Sequence, residues 1–327
     1  MSPKSLVCLI GLLLWLATGV AAADYDTYLT GNAADARPER TQGGLLLSGG
    51  GGDNDDAFRW FAACAGGGDI VILRASGKDG YNDYLFSRIG GVDSVETIVF
   101  HRRAAATDPR VLESIARADG LFLAGGDQSN YINYWKGTPV AAALDAHVRA
   151  GKPLGGTSAG LAVLGQFAYS ALEPRNLTSA IALKDPFDPQ ITLERDFLHL
   201  DLMRGIVTDT HFMPRARLGR ALVFLARLMD PALPRLVGLG IDEKTALCVE
   251  PDGSGRVFTT DPAGRAWLLL PSVPPETLAP GQPLTFRDIR VIGLGPESRC
   301  NLTTLSIQQP AAVSTVSVVR GQLVQKP

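Results

Sequence analysis

The chain has 327 residues, 46% of them hydrophobic, with 31 basic and 33 acidic side chains and a formal charge of −2. That apolar fraction is ample for a buried core and excludes intrinsic disorder, and the length accommodates one large domain or two ordinary ones. Both signs of charge are scattered, which excludes a nucleic-acid binder working through clustered Lys and Arg. A compact enzyme or small-molecule binder remains.

The first residues read as an export signal. Lys4 gives a positive start, Leu6 to Leu16 an apolar core, and Ala21, Ala22 and Ala23 small residues at a cleavage site near Ala23. The apolar run is short for a membrane span and is followed at once by Asp24 and Asp26, so residues 1–23 are expected to be removed. A soluble secreted or periplasmic protein with no membrane partner would result. Cys8 lies in the signal core, leaving Cys64, Cys248 and Cys300. A Cys248–Cys300 disulfide is allowed in an oxidising compartment, whereas Cys64, beside Phe61, Ala62 and Ala63, reads as a small buried apolar residue. No Cys/His spacing points to a metal.

Residues 24–42 are polar and aperiodic and read as a loose N-terminal segment. From Gly43 onward short apolar runs alternate with helical patterns. Strands are expected at Leu45–Ser48, Ile70–Arg74, Thr97–His101, Leu121–Ala124 and Pro153–Thr157. Helices are expected at Asp55–Ala65, Tyr81–Gly90, Pro109–Ala118 and Val140–Ala150, with Asp108 and Pro109 supplying a cap and a first-turn proline. Gly205–Thr208, a helix from about Pro214 to Met229, and Leu236–Asp242 continue the style. After about residue 245 short strands with Gly/Pro turns take over: Ala246–Glu250, Arg256–Thr259, Trp267–Leu270 and Ile289–Ile292. The alternation predicts an α/β fold, a doubly wound, mostly parallel sheet with helices on both faces. Residues 43–327 then form a single domain whose β-rich C-terminal part extends or covers the same sheet.

Gly156-Thr157-Ser158-Ala159-Gly160 fits the G-x-S-x-G elbow, between an apolar strand and a helical start. Small flanking residues permit the sharp turn that lifts a serine hydroxyl clear of the backbone, and the helix N-terminus favours developing negative charge. A serine nucleophile needs a base. His101 and His147 read as surface residues and His199 as a core or surface one. His211 instead follows Ile206, Val207 and Thr208, at the carboxyl end of a strand, where sites form in open α/β sheets. An orienting acid is available at Asp242 or Glu243. The order serine, histidine, acid differs from that of ordinary α/β-hydrolases. The Gly49–Gly52 run lacks the third glycine of a dinucleotide loop, Asn54 standing there, and no phosphate-loop lysine follows. Asp53, Asp55 and Asp56 read as acids at a helix start, so no nucleotide or metal cofactor is expected.

Four segments together carry a family resemblance: Leu123 to Gln128, Gly156 to Gly160, Asp209-Thr210-His211-Phe212 with Arg215, Arg217 and Arg220, and Gly240 to Glu243. They resemble the cyanophycinase-like serine peptidases, relatives of aspartyl dipeptidase on a class I glutamine-amidotransferase-like, flavodoxin-like fold. The glycine run from Ser48 and Ala75 to Tyr81 are also similar. The resemblance implies that Ser158 attacks, His211 moves the proton and Glu243 orients the imidazole. It implies oxyanion donors at Gly126 and Ala159, and substrate contacts from Gln128, Asp209, Arg217 and Arg220; the two arginines are spaced as neighbours on one helix. The implied substrate is cyanophycin, multi-L-arginyl-poly-L-aspartate, cut to β-Asp-Arg without a cofactor, and a homodimer is suggested. Thr210 departs from the family's Asp-Gln-His-Phe pattern, which opens an isoaspartyl or aspartyl dipeptidase as an alternative. A catalytically silent binder of acidic peptide or polymer is the other.

Overall fold

The computed structural model describes residues 23–326; the expected leader lies outside the described residues but for its last position. The N-terminal half alternates strands and helices: β1 Tyr25–Gly31, β2 Gly44–Ser48, α1 Asp55–Cys64, β3 Asp69–Arg74, β4 Ser94–Phe100, α2 Pro109–Arg117, β5 Gly120–Leu123, α3 Gln128–Trp135, α4 Pro139–Arg149, β6 Pro153–Thr157 and α5 Ala159–Ala162. Then follow β7 Ala168–Tyr169, α6 Ser179–Lys184, β8 Leu193–Glu194, β9 Ile206–Asp209, α7 Leu218–Leu228 and β10 Val237–Ile241. The rest is β11 Thr245–Val249, β12 Ser254–Thr259, β13 Ala266–Leu270, β14 Phe286–Leu294, β15 Arg299–Asn301, β16 Ile307–Gln308, β17 Ala312–Val319 and β18 Gln322–Lys326.

The first sheet has ten strands in the order β1-β4-β3-β5-β6-β2-β11-β12-β15-β16. Its core from β4 to β2 is parallel. Those strands are buried on both faces, as a parallel sheet between helices must be. Leu45 and Leu47 belong to the core that also holds Val111, Ile115 and Leu144 on one side, while Leu46 belongs to the core with Phe58 and Phe61 of α1 on the other. Successive side chains of a strand point to opposite faces, so the alternation along β2 fixes which helix covers which side. Local signals start the helices. Asn54 accepts from the N–H groups of Asp56 and Ala57, and Asp108 accepts from Arg110 ahead of α2.

Several expectations are corrected. Residues 24–42 are not uniformly loose: β1 pairs antiparallel with β4 over its whole length, a half-exposed edge strand in which Asp26, Thr27 and Leu29 face solvent. The C-terminal part, expected to extend or cover the first sheet, extends it only in part. β11, β12, β15 and β16 do, but β9 and β10 open a second, six-stranded sheet in the order β18-β17-β14-β13-β10-β9. Only β9 and β10 run parallel there; the other neighbours are antiparallel. This sheet packs Ile206, Val237 and Leu239 toward the first core and Val207, Phe286 and Val316 toward α7. The helix expected from Pro214 begins only at Leu218, because His211 to Arg217 form a turn in which Ala216 takes φ 50°. Tyr81–Gly90 contributes a short π-helical stretch, Tyr84–Ile89. Cys64, Cys248 and Cys300 are free and buried. Cys248 and Cys300 stand on strands either side of β12, opposite Arg256 and Gly255. Two strand spacings, about 10 Å, are too far for a disulfide.

Candidate active site

The elbow forms at the end of β6. Ser158 takes φ 51° and ψ −116°, outside the regions an L-residue favours, a conformation that tight flanking geometry must hold in place. That tightness explains the motif's last glycine, since a Cβ on Gly160 would stand 2.0 Å from the Leu123 carbonyl oxygen. Ala159 opens α5 directly behind the serine, and first-turn N–H groups of a helix have no intrahelical partner. Gly125 and Gly126, after β5, lie across from it: a Cβ on Gly125 would be 3.5 Å from Ser158 Cβ.

His211 follows β9 and is itself in the left-handed region, φ 45°. Its Nε2 lies 2.8 Å from Ser158 Oγ and its Nδ1 lies 2.7 Å from Glu243 Oε1. A carboxylate can only accept, so Nδ1–H donates to Glu243 and Nε2 is left as the acceptor for the serine hydroxyl. Burial lowers the pKa of His211 below the ordinary histidine value. The hydrogen bond to Glu243 opposes that shift, and the Arg215 and Arg217 charges reinforce it. Glu243 is held below its usual range, first by the hydrogen bond from His211 and further by Arg215, whose Nε donates to the same oxygen at 3.1 Å. At neutral pH the imidazole is therefore neutral and the carboxylate charged, the states a base and its orienting acid require.

Of the two acids left open by sequence, the geometry brings Glu243 to the imidazole. Asp242 is buried and occupied elsewhere. It accepts from Met213 N–H at 2.8 Å, Arg265 N–H at 3.1 Å and Trp267 Nε1 at 2.8 Å, tying the turn after His211 to β13. His147, read as a surface residue, is instead buried against the Pro153 carbonyl at 3.0 Å, and burial pushes its pKa down to about 4.

A cleft of about 280 Å³ opens beside Ser158 and His211, with Gly126, Gln128, Tyr169, Arg217 and Arg220 among its lining residues. Gln128 starts α3 and reaches the Tyr169 carbonyl at 3.5 Å. The other three expected substrate positions form one bonded group. Arg220 is buried and grips both carboxylate oxygens of Asp209, at 2.8 and 2.5 Å, while stacking over Tyr169 at 5.1 Å. Asp209 does not line the cleft; its charge is spent on Arg220 and on Arg217, 3.5 Å away. Arg217 is the residue before α7 rather than a helical neighbour of Arg220, and its Nη1 donates to the Thr210 carbonyl and hydroxyl. Burial lowers its pKa to about 10, so it stays charged at neutral pH. Glu173 and Arg175 also line the cleft. They sit in an irregular loop whose sequence carries no pattern to reveal them.

The peptidase family S51 profile matches residues 91–254. A cyanophycinase of Trichormus variabilis is 29% identical over 208 residues, 62% of this chain and 63% of that protein. One of Synechococcus elongatus is 32% identical over 169 residues, 51% and 48% of the two chains. The chain thus spans less than two thirds of the length of these relatives. The crystal structure of a peptidase from an acI-B1 actinobacterium shares the fold, with a TM-score of 0.51 at 18% identity, covering 71% of this chain and 92% of that one.

Proposed function

The chain belongs to peptidase family S51, and from that premise we propose that it is a serine-type hydrolase of aspartate-containing peptides, with cyanophycin as the first substrate and β-Asp-Arg as the product. The observation that carries this reading is the unbroken chain from Ser158 Oγ through His211 to Glu243, at 2.8 and 2.7 Å, opening on a cleft lined by Arg215, Arg217 and Arg220.

Ser158 Oγ attacks the scissile carbonyl while His211 Nε2 takes its proton. The N–H groups of Ala159 and Gly126 receive the oxyanion, a term worth about 3 kcal/mol per donor where it has been removed. His211 then returns the proton to the leaving amine, leaving an acyl group on Ser158. Water, deprotonated by the same imidazole, releases it. Glu243 holds the tautomer and stabilises the imidazolium throughout. With Arg220 already gripping Asp209, Arg175, Arg215 and Arg217 are the guanidiniums left to meet a substrate unit carrying free carboxylates, which pair with a guanidinium in a planar fork. Gln128 supplies an amide at the cleft wall. Export by the N-terminal leader and assembly as a homodimer belong to the same proposal.

Mass spectrometry of products after incubation with cyanophycin tests it. Wild type is expected to release β-Asp-Arg and Ser158→Ala none; equal release by the two would overturn the mechanism. Thr210, bonded to Arg217 where the family pattern has glutamine, favours one second reading, an isoaspartyl or aspartyl dipeptidase. Release from such dipeptides with intact cyanophycin would establish it.

A further inference from the structure

The three arms of the site come from different places. Ser158 follows β6 of the first sheet, whereas His211 and Glu243 follow β9 and β10 of the second. The glycine run leaving β2 touches all three. Consecutive carbonyls along it accept from Ser158 N–H (Ser48 O, 3.1 Å), from His211 N–H (Gly49 O, 2.9 Å) and from Lys244 N–H, next to Glu243 (Gly50 O, 2.8 Å). The stretch is anchored in turn by Gly49 N–H donating to the Thr245 carbonyl at 2.9 Å.

The glycines are also where the side chains of the site come to rest. A Cβ on Gly50 would stand 2.6 Å from His211 Cε1 and 2.9 Å from Ser158 Cβ. A Cβ on Gly51 would stand 2.8 Å from Cβ, Cγ and Cδ of Glu243. Both residues have positive φ, +86° and +72°. Neither lines the cleft.

We propose that Ser48–Gly51 is the template that sets the register of the three arms across the two sheets, with Gly50 and Gly51 as positioning residues for His211 and Glu243. The proposal rests on the serine–histidine–glutamate reading of the site. A side chain at Gly51 displaces the Glu243 carboxylate from Nδ1, and a misplacement of about 1 Å at such a contact costs on the order of 10²-fold in rate.

The test compares wild type with Gly51→Ala and Gly51→Asn, asparagine being a residue that tolerates positive φ. Gly91→Ala is the control: its φ is +75°, and a Cβ there meets nothing within 4 Å. The primary readout is the rate of Ser158 phosphonylation by a small fluorophosphonate, in which Oγ bonds to phosphorus, fluoride leaves and His211 takes the hydroxyl proton; it needs the triad but little of the cleft. Both Gly51 variants are expected to label about 10²-fold more slowly, with unchanged KM for substrate. The acid limb of the rate should move to lower pH, because the hydrogen bond that raises the His211 pKa is weakened. Gly91→Ala should label as wild type does. Wild-type labelling by either folded Gly51 variant would overturn the proposal. A wild type that is not labelled at all would overturn the serine mechanism instead. The low-field His211 Nδ1 proton resonance still reads the template in that case: it should move in Gly51→Asn, and an unmoved resonance would count against the proposal.

Discussion

His199 and His211 each bond a carboxylate through Nδ1, yet the two places could hardly be more different in what they can do. His199 lies between Asp145 and Asp196, 2.9 Å from each, with 65% of its side chain exposed. Its carboxylate partners raise its pKa, Asp145 foremost. His211 has one carboxylate, 8% exposure, a lowered pKa and a serine hydroxyl on its other nitrogen. Pairing with an acid does not by itself make a base. A base at neutral pH needs enough burial to keep the ring neutral, one acid to fix the tautomer, and a free nitrogen aimed at a hydroxyl. With both nitrogens on carboxylates, His199 is an ion-pair residue.

The widest gap should appear on removing each ring. His211→Ala is expected to lower fluorophosphonate labelling of Ser158 by at least about 10⁴-fold, whereas His199→Ala should stay within about twofold of wild type. A comparable loss in both would break the distinction. Next comes the acid. Glu243→Gln should cost about 10²- to 10⁴-fold and move the acid limb to lower pH, since the charge that raises the His211 pKa is gone. Asp145→Asn should change neither rate nor pH profile.

His147 separates burial from pairing, because it is buried without any carboxylate partner. Its folded pKa of about 4 lies below the unfolded value near 6.5. The unfolded chain therefore binds the extra proton in that window, and stability falls as pH drops from about 6.5 to 4, by about 3 kcal/mol in all. Denaturant midpoints across pH 4–7 should show the slope in wild type and a flatter one in His147→Gln. The smallest effect belongs to His199, whose pKa is raised. Its contribution is present below the unfolded value and fades as pH rises through the folded one. At an exposed site it amounts to less than about 1 kcal/mol, so His199→Gln should barely alter the stability profile.

Much of this was legible in the chain. The strands from β2 to β6 announce themselves as short apolar runs between helical patterns, and the elbow is identifiable because a strand precedes it and a helix follows. His211 could be picked out by its place after a strand. What the sequence hid depends on neighbours far along the chain. β1 looked loose because an edge strand alternates weakly and borrows its order from β4. His147 looked exposed because a helical pattern beside Asp145 and Arg149 does not show which side meets β6. Asp209 and Arg220 resembled substrate contacts, but each largely satisfies the other within the wall. The glycine run was readable only as a failed nucleotide loop; its carbonyls meet partners more than a hundred residues away.

On the proposed mechanism, Ser158 is activated by a neutral His211 held by Glu243. The most direct test of this mechanism is peptide mapping of the fluorophosphonate adduct together with the pH dependence of its formation. A single adduct on Ser158 is expected, absent from His211→Ala, with a rate that persists below the ordinary histidine pKa near 6.5 before it falls. Labelling elsewhere, or a rate on Ser158 that is indifferent to His211, would contradict it.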